Sequence, residues 1–397
     1  MPRTATTLNV LEDIERTYNT SKKRIKFIYT QLGYPSNHDL GWLNGRKQDL
    51  FRQLPRKQLS RLQKHKRCYF IFDVSLEGYS NNHHAFFKSL YSSARKFQIP
   101  NRKIIYITSN HYDKNFHDDF VKKYNIQETI KIVTVIEFAL ASTATWRNSR
   151  NKTNIDGTIN NFVNTHTDKI FLSLSRRSRQ ERVYLHYLLW NKGVADRGLI
   201  SQARVDPDGG RIGEIMHVLK GFGVSDEKSI ENFCKVLPLT ADTNDFSINY
   251  ANYQNKELAD QVMFEIVGET LQNDMNKTSL FYSEKTFKPM LNMCPFLVWG
   301  QPHINKTLEE HGFKLYTKLF DYSFDSIEDT VERAHAIADQ VKELSAKLST
   351  MTPEQKLEGR FLEKETLEHN FDAVLSYQQR YCKPIFKNLI KQILEEV

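Results

Sequence analysis

KIFLSLSRRSRQERVYLHYLLWNKG, residues 169–193, reads as a strand, a turn and a helix in succession. KIFLSLS (169–175) is short, apolar and ends in polar residues, the pattern of a buried strand. Beyond the turn, Val183, Tyr184, Tyr187 and Leu188 fall on one side of a helix, and Gly193 supplies its stop. The turn itself carries Arg176, Arg177, Arg179 and Arg182. A helix N-terminus already offers unpaired N–H groups and partial positive charge. Guanidinium groups placed there grip phosphate oxygens with two donors each, so the pattern predicts a diphosphate site. The plainer alternative is an exposed basic turn facing solvent.

The same alternation extends in both directions. RIKFIYTQ (24–31), RCYFIFDVS (67–75), RKIIYITSN (102–110) and TIKIVTVIEF (129–138) are short β-branched or aromatic runs, suited to buried parallel strands. Residues 81–98 and 114–125 have helical spacing between them. Downstream, PFLVWG (295–300) reads as a strand, and INKTLEEHG (304–312) as a helix with a glycine stop. Residues 326–349 and 366–397 each carry one apolar helical stripe. Strand–helix alternation predicts an α/β fold with parallel sheets. The Asn- and Thr-rich stretch 149–168 reads as the connector. The expected organisation is therefore a Rossmann-like domain over 21–150, a second over 165–365, and a C-terminal helix, 366–397, packing back on the first. Two such halves facing across a cleft would place ligands at the carboxyl ends of the strands.

Of the 397 residues, 40% are hydrophobic, including 25 Phe and 18 Tyr, which is enough to build sizeable cores. No run approaches the roughly 18–20 apolar residues of a membrane span. The first twenty residues lack an apolar signal core, and the four cysteines lie far apart without a CxxC pair. Reduced thiols and a cytoplasmic location are the expectation. The net charge of +9 is uneven: between Ser21 and Cys68 stand thirteen Lys or Arg and only two acids, Asp39 and Asp49. Such a surplus attracts polyanions, among them nucleic acid, anionic membrane and phosphorylated glycans.

Two further constellations carry chemistry. In FEIVGETLQNDMNKTSLFYSEKTFKPMLNMCPFLVWG (264–300), Ser283, Glu284 and Lys285 open an amphipathic helix that Pro289 should shorten or kink. Glu284 is suited to accept hydrogen bonds from ribose hydroxyls, with Lys285 or Lys288 near phosphate. It is equally suited to be a helix-start acid worth ~0.3–1 kcal/mol against the dipole. In FIFDVSLEGYSNNHH (70–84), Asp73 ends a strand, Glu77 follows in the loop, and His83 and His84 open a helix. These residue types can serve as a general base, with Glu77 placed slightly ahead of Asp73 because it lies farther out on the loop. Asp206-Pro-Asp-Gly-Gly210 reads as a tight turn rather than a cation site, and the arginines can neutralise a diphosphate without metal. No GxxxxGK[ST] or GxGxxG occurs, which argues against an ATPase or a dehydrogenase.

The stretch FYSEKTFKPMLNMCPFLVWG resembles the donor-site motif of GT-B glycosyltransferases, especially the fucosyltransferase and exostosin-like kinds. It is also similar to virus-encoded glycosyltransferases, several from viruses of marine bacteria, in which an Arg-rich strand end lies upstream, as at 176–179 here. The resemblance covers about residues 168–325. It implies that Glu284 binds the donor ribose, that Arg176, Arg177, Arg179 and Lys285 bind the diphosphate, and that Glu265 or Glu269 lies near the sugar. Many retaining members carry two glutamates eight positions apart, whereas residue 276 here is Asn. A weaker likeness joins the Asp73–Gly78 loop to the same proteins. The implied activity is sugar transfer from a nucleoside diphosphate sugar to an acceptor hydroxyl of a glycan, a lipopolysaccharide or a DNA base, without cofactor or metal. A cytoplasmic protein is implied, in the host cytoplasm if the source is viral. The rival reading is a non-catalytic nucleic-acid-binding protein with a fold of this kind.

Overall fold

The computed structural model describes residues 7–18, 25–31, 50–75, 83–148, 154–175, 179–204, 215–242, 255–270 and 279–396. The chain forms two compact units, residues 1–144, 276–282 and 376–397 in the first, and 145–275 and 283–375 in the second. Each is built on a parallel sheet flanked by helices, so the α/β class expected from the sequence is the one observed.

The first unit carries β1 (Lys26–Gln31), β2 (Cys68–Asp73), β3 (Ile104–Thr108) and β4 (Lys131–Thr134), adjacent in sequence order. Helix α1 (Thr7–Tyr18) precedes them. Helices α2 (Arg56–Lys64), α3 (His83–Lys96) and α4 (Asp113–Tyr124) precede β2, β3 and β4 in turn, and α5 (Glu137–Asn148) leaves the sheet. All six residues of β2 are buried, because the strand has neighbours on both edges. That accounts for an unbroken apolar run in place of alternation. Phe70 and Phe72 enter a core with Phe51, Leu62, Phe87, Leu90 and Ile104. Each such ring is worth roughly 1.5–3 kcal/mol in area removed from water. The run 129–138, expected as one strand, is extended only over Lys131–Thr134, and Glu137 already begins α5. β4 is an edge strand, and its last tie to β3 is the Val135 N–H donating to the Thr108 carbonyl at 2.9 Å.

In the second unit, α6 (Ile155–Thr165) leads to β5 (Phe171–Ser175), α7 (Gln180–Asn191) and β6 (Gly198–Gln202). The chain continues through α8 (Ile215–Gly221), α9 (Glu227–Val236) and the single turn α10 (Lys256–Ala259) to β7 (Phe264–Gly268). Then come α11 (Glu284–Leu291), β8 (Phe296–Trp299), α12 (Ile304–Glu310), α13 (Thr330–Ser349), α14 (Pro353–Arg360) and α15 (Lys364–Tyr377). The stretch read as a connector thus contains α6, started by Asn154, whose side-chain oxygen accepts the Gly157 N–H at 2.7 Å. Its amide-rich composition is that of a helix cap. α11 ends two residues beyond Pro289, within the shortening expected.

The segment 366–397 is two helices rather than one. α15 gives way to a π turn over Gln378–Cys382, and α16 (Lys383–Glu395) restarts with proline in its first turn. Residues 376–397 group with the first unit, where Tyr377 Oη accepts the Ile136 N–H at 3.0 Å and Lys383 pairs with Asp13 at 2.8 Å. The four cysteines are free thiols, and no helix of the described residues is long and apolar enough to cross a membrane.

Candidate functional site

Strand order separates the two sheets. The second runs β6-β5-β7-β8: the chain steps from β5 to β6 on one side, then returns to pair β7 on the other. At such a reversal, connections leave on opposite faces and a crevice opens beyond the carboxyl ends of the two strands. The groups at those ends are Ser175 and the start of α7, Gly268 with Glu269 and Thr270, and Ser283 at the start of α11.

Glu269 organises this place. The carboxylate is fully buried and accepts four hydrogen bonds. Oε1 takes the Ser283 N–H at 3.0 Å and the Thr286 hydroxyl at 2.6 Å. Oε2 takes the Thr270 N–H at 2.8 Å and the Ser283 hydroxyl at 2.7 Å. The end of β7 is thereby locked to the first turn of α11. From the other side, Arg182 Nη2 donates to the Glu269 carbonyl at 2.7 Å. Arg182 is buried and its Nε meets no hydrogen-bond partner among the described residues. Burial pulls its pKa down to about 10, aided by Arg179 and opposed by Glu269 and Glu284. A Cβ added to Gly268 would sit 3.2 Å from Ser175 Oγ and 3.6 Å from Arg182 Cγ, so the bare strand end leaves room for the guanidinium. Arg179, the residue before α7, donates to the Thr270 carbonyl at 2.7 Å. Two helix N-termini, those of α7 and α11, therefore meet at residues 269–270.

On α11, Ser283 is the N-cap and its hydroxyl accepts the Lys285 N–H at 3.4 Å. Lys285 Nζ reaches Glu284 Oε1 at 2.8 Å, Ser283 Oγ at 3.2 Å and Thr270 Oγ1 at 3.4 Å. Burial alone would raise the Glu284 carboxyl, but Lys285 and Lys288 overcome it and hold the pKa at about 2. Glu284 is thus an anion at any working pH. Lys288, one turn on, is buried; burial lowers its ammonium to about 8 against the pull of Glu284, Glu265 and Asp242. Asp242 comes from the segment after β6 and accepts the Ser201 hydroxyl.

Glu265 lies elsewhere. It is the second residue of β7, roughly 10 Å short of the strand's carboxyl end. Its carboxyl, raised by burial to about 8, is neighbour to Lys288 and Arg360. Of the two glutamates expected near a sugar, Glu265 thus stands well back from the strand's carboxyl end and Glu269 is committed to the α11 start. Arg176 and Arg177 lie outside the described residues, as do Asp206 and Asp208.

In the first unit, Asp73 ends β2 fully buried. Its carboxylate accepts the Ser75 N–H at 2.9 Å, the Ser75 hydroxyl at 2.6 Å and the Tyr29 hydroxyl. Burial pushes its pKa up, against these bonds. The group braces β1, β2 and the following turn. Glu77 lies outside the described residues. His84 packs against the rings of Phe120 and Tyr124, a packing role on α3.

Arg182 stands in the Arg-rich turn read as a diphosphate site, though not among the donors that the resemblance implies, and the structure buries it. The available signal is spacing: 179, 182, 183 and 186 share a helix side, and His186 is buried with Ser173 Oγ at 2.8 Å and Gln202 Oε1 at 2.9 Å. That side faces the sheet, which takes Arg182 beneath the crevice. Thr270 and Thr286 carry no signal at all; the Thr270 N–H and the Thr286 hydroxyl acquire this role only once Glu269 is in place. The finished cluster holds Arg179, Arg182, Lys285 and Lys288 against Glu269 and Glu284, with two helix dipoles added. Such cations and helix dipoles can attract an anion, beside a carboxylate that can accept hydroxyl donors.

No protein-family model matches this chain, and no curated protein matches it. Among solved structures, it is similar to an alpha,alpha-trehalose-phosphate synthase (UDP-forming) from Burkholderia vietnamiensis. The identity is 9% and the TM-score 0.44, over 98% of this chain and 79% of that one. An alpha,alpha-trehalose 6-phosphate synthase from Burkholderia multivorans gives 10%, 0.43, 98% and 76%. Likenesses at this level carry no assignment by themselves.

Proposed function

We propose that the protein is a glycosyltransferase of the GT-B kind that takes its sugar from a nucleoside diphosphate sugar. The observation that carries this is the meeting of the α7 and α11 N-termini at the β5/β7 reversal, with Arg179, Lys285 and Glu284 grouped around Thr270. Arg179 and Lys285 would bind the diphosphate, with Arg176 and Arg177 adding donors from the same turn. Glu284, held ionised at a pKa of about 2, would accept the ribose hydroxyls. Arg182 would act from beneath, setting the positive potential of the pocket floor. Stabilising the departing diphosphate in this way is worth several kcal/mol in comparable preorganised sites, ~2.7–4 kcal/mol per donor removed. The glutamates at 265 and 269 are not part of this proposal. The acceptor and its base belong to the first unit, with Glu77 the proposed base and Asp73 the brace beneath its loop. A glycan or DNA hydroxyl serves equally in this scheme.

The test is thermal unfolding with UDP, GDP, CDP, ADP and their sugar conjugates, on the wild type, Glu284→Ala and Lys285→Ala. One nucleotide family should stabilise the wild type by roughly 2.7 kcal/mol at ~100 times its dissociation constant, and both variants should lose that response. Stabilisation by none of the nucleotides would sink the proposal and favour the non-catalytic binding protein.

A further inference from the structure

Outside this site, a strongly unbalanced surface among the described residues is α2 and its flanks. From Leu50 to Phe72 the chain holds seven Lys or Arg and no Asp or Glu. Leu59 and Leu62 turn α2 onto the core of the first unit. Lys57, Arg61 and Lys64 recur at i, i+4 and i+7, which puts them on one side of the helix. Arg52, Arg56, Lys66 and Arg67 extend the same charge at the two ends. None of the seven takes part in an ion pair among the described residues, whereas Lys131, Lys192, Lys220, Lys256 and Lys383 all do. The Arg67 Nε is buried without a hydrogen-bond partner among those residues.

The helix gains little from this charge. Arg56 and Lys57 stand in its first turn, where no acid is present and the dipole disfavours cations. Its last turn is anchored by another cation: Lys103 Nζ donates to the carbonyls of Leu62 at 2.6 Å, Gln63 at 3.3 Å and His65 at 3.1 Å. The surface is therefore rigid as well as positive. It is also separate from Asp73. The His65–Arg67 turn and the exposed Lys26 lie where β2 and β1 begin, roughly 20 Å along the strand from its carboxyl end.

We propose that this surface docks the phosphate backbone of a nucleic-acid duplex. Arginines suited to bidentate phosphate contact are interleaved with Gln58 and Ser60, side-chain types that contact phosphate and sugar. The exposed large apolar residues of the described chain are Tyr124, Val163, Val236, Leu362 and Ile385, none of them on α2 or its flanks. Among the described residues, α2 and its flanks thus present no apolar wedge for a bilayer and no aromatic platform for unstacked bases. The docking is independent of the transferase reading, since no donor-site residue enters it.

The experiment is anisotropy titration of the full chain against a labelled mixed-sequence DNA duplex over a salt series. The variant carries Lys57→Ala, Arg61→Ala, Lys64→Ala and Lys66→Ala. A control removes four exposed lysines of the second unit, Lys306, Lys318, Lys342 and Lys347. Flotation with phosphatidylserine vesicles runs alongside. The α2 variant should bind the duplex at least ~tenfold more weakly, with the slope of log affinity against log salt reduced by about 3–4, near 0.9 per lost phosphate contact. Lys57→Ala and Lys64→Ala alone should each remove about one such contact, which covers the case of a poorly folding quadruple variant. Thermal response to nucleotides should be unchanged. Equal weakening by the control, or wild-type binding to vesicles without binding to the duplex, would overturn the proposal.

Discussion

The carboxyl ends of the two sheets differ in what stands beside their buried carboxylates. Both ends present buried carboxylates. Asp73 is satisfied by hydroxyl and backbone donors, from Tyr29 and Ser75. Glu269 is likewise satisfied, but around it stand Arg179, Arg182 and Lys285, anchored to the carbonyls and hydroxyl of 269–270. The difference follows from strand order. Sheet one runs β1-β2-β3-β4 without reversal, whereas sheet two reverses between β5 and β7. Only at a reversal do two helix N-termini converge without covering one another, and cations gathered there can face a ligand. A carboxylate at either end serves as a brace; chemistry depends on what the topology leaves uncovered beside it.

Three changes test the contrast. Glu269→Ala should have the largest effect, about 3–5 kcal/mol in urea denaturation, because it strands the donors of Ser283, Thr270 and Thr286 beside a buried arginine. A loss below ~1 kcal/mol would mean that the α11 start is held by packing alone. Asp73→Asn keeps the shape but replaces one acceptor oxygen with a donor, so about 1–3 kcal/mol should go. Full stability with abolished sugar transfer would instead return Asp73 to the role of base read from the sequence.

The smallest effect concerns pH. Burial raises the Glu265 carboxyl from 4.5 to about 8. Below 4.5 the acid is neutral in both states, and its relative stabilisation of the fold is complete. As pH rises from there to about 8, the unfolded chain sheds the proton first, and stability falls. Glu265→Gln removes that dependence. Comparing denaturation at the two ends of this window, the wild type should lose at least ~1 kcal/mol more than the variant, since each tenfold difference in acidity between the folded and unfolded chain is worth about 1.4 kcal/mol. Parallel profiles would show that Glu265 stays ionised beside Lys288.

Much of this protein is legible in its residues. CYFIFD, IIYIT, FLSLS and FLVW are strands because apolar runs of that length fit no other buried element so well, and the α13 stripe reads directly as a helix. The Arg-rich turn after β5 and the Ser283–Lys285 start of α11 are visible for the same reason, as each is a local pattern at an element boundary. The connector at 149–168 misleads because Asn serves caps and loops alike. The long strand at 129–138 misleads because edge pairing, not propensity, sets where a strand stops.

Local pattern, then, determined the elements, their polarity and the charge carried at their ends, since those depend on residues a few positions apart. Tertiary structure alone decided that Glu269 turns inward, that Asp73 is buried against Tyr29 and Ser75 and that Arg182 is buried beside Glu269. The physical reason is range: Arg182 and Glu269 are 87 residues apart, Tyr29 and Asp73 44. The burial that shifts a pKa or satisfies a carboxylate exists only after strands from both sides of such gaps have paired.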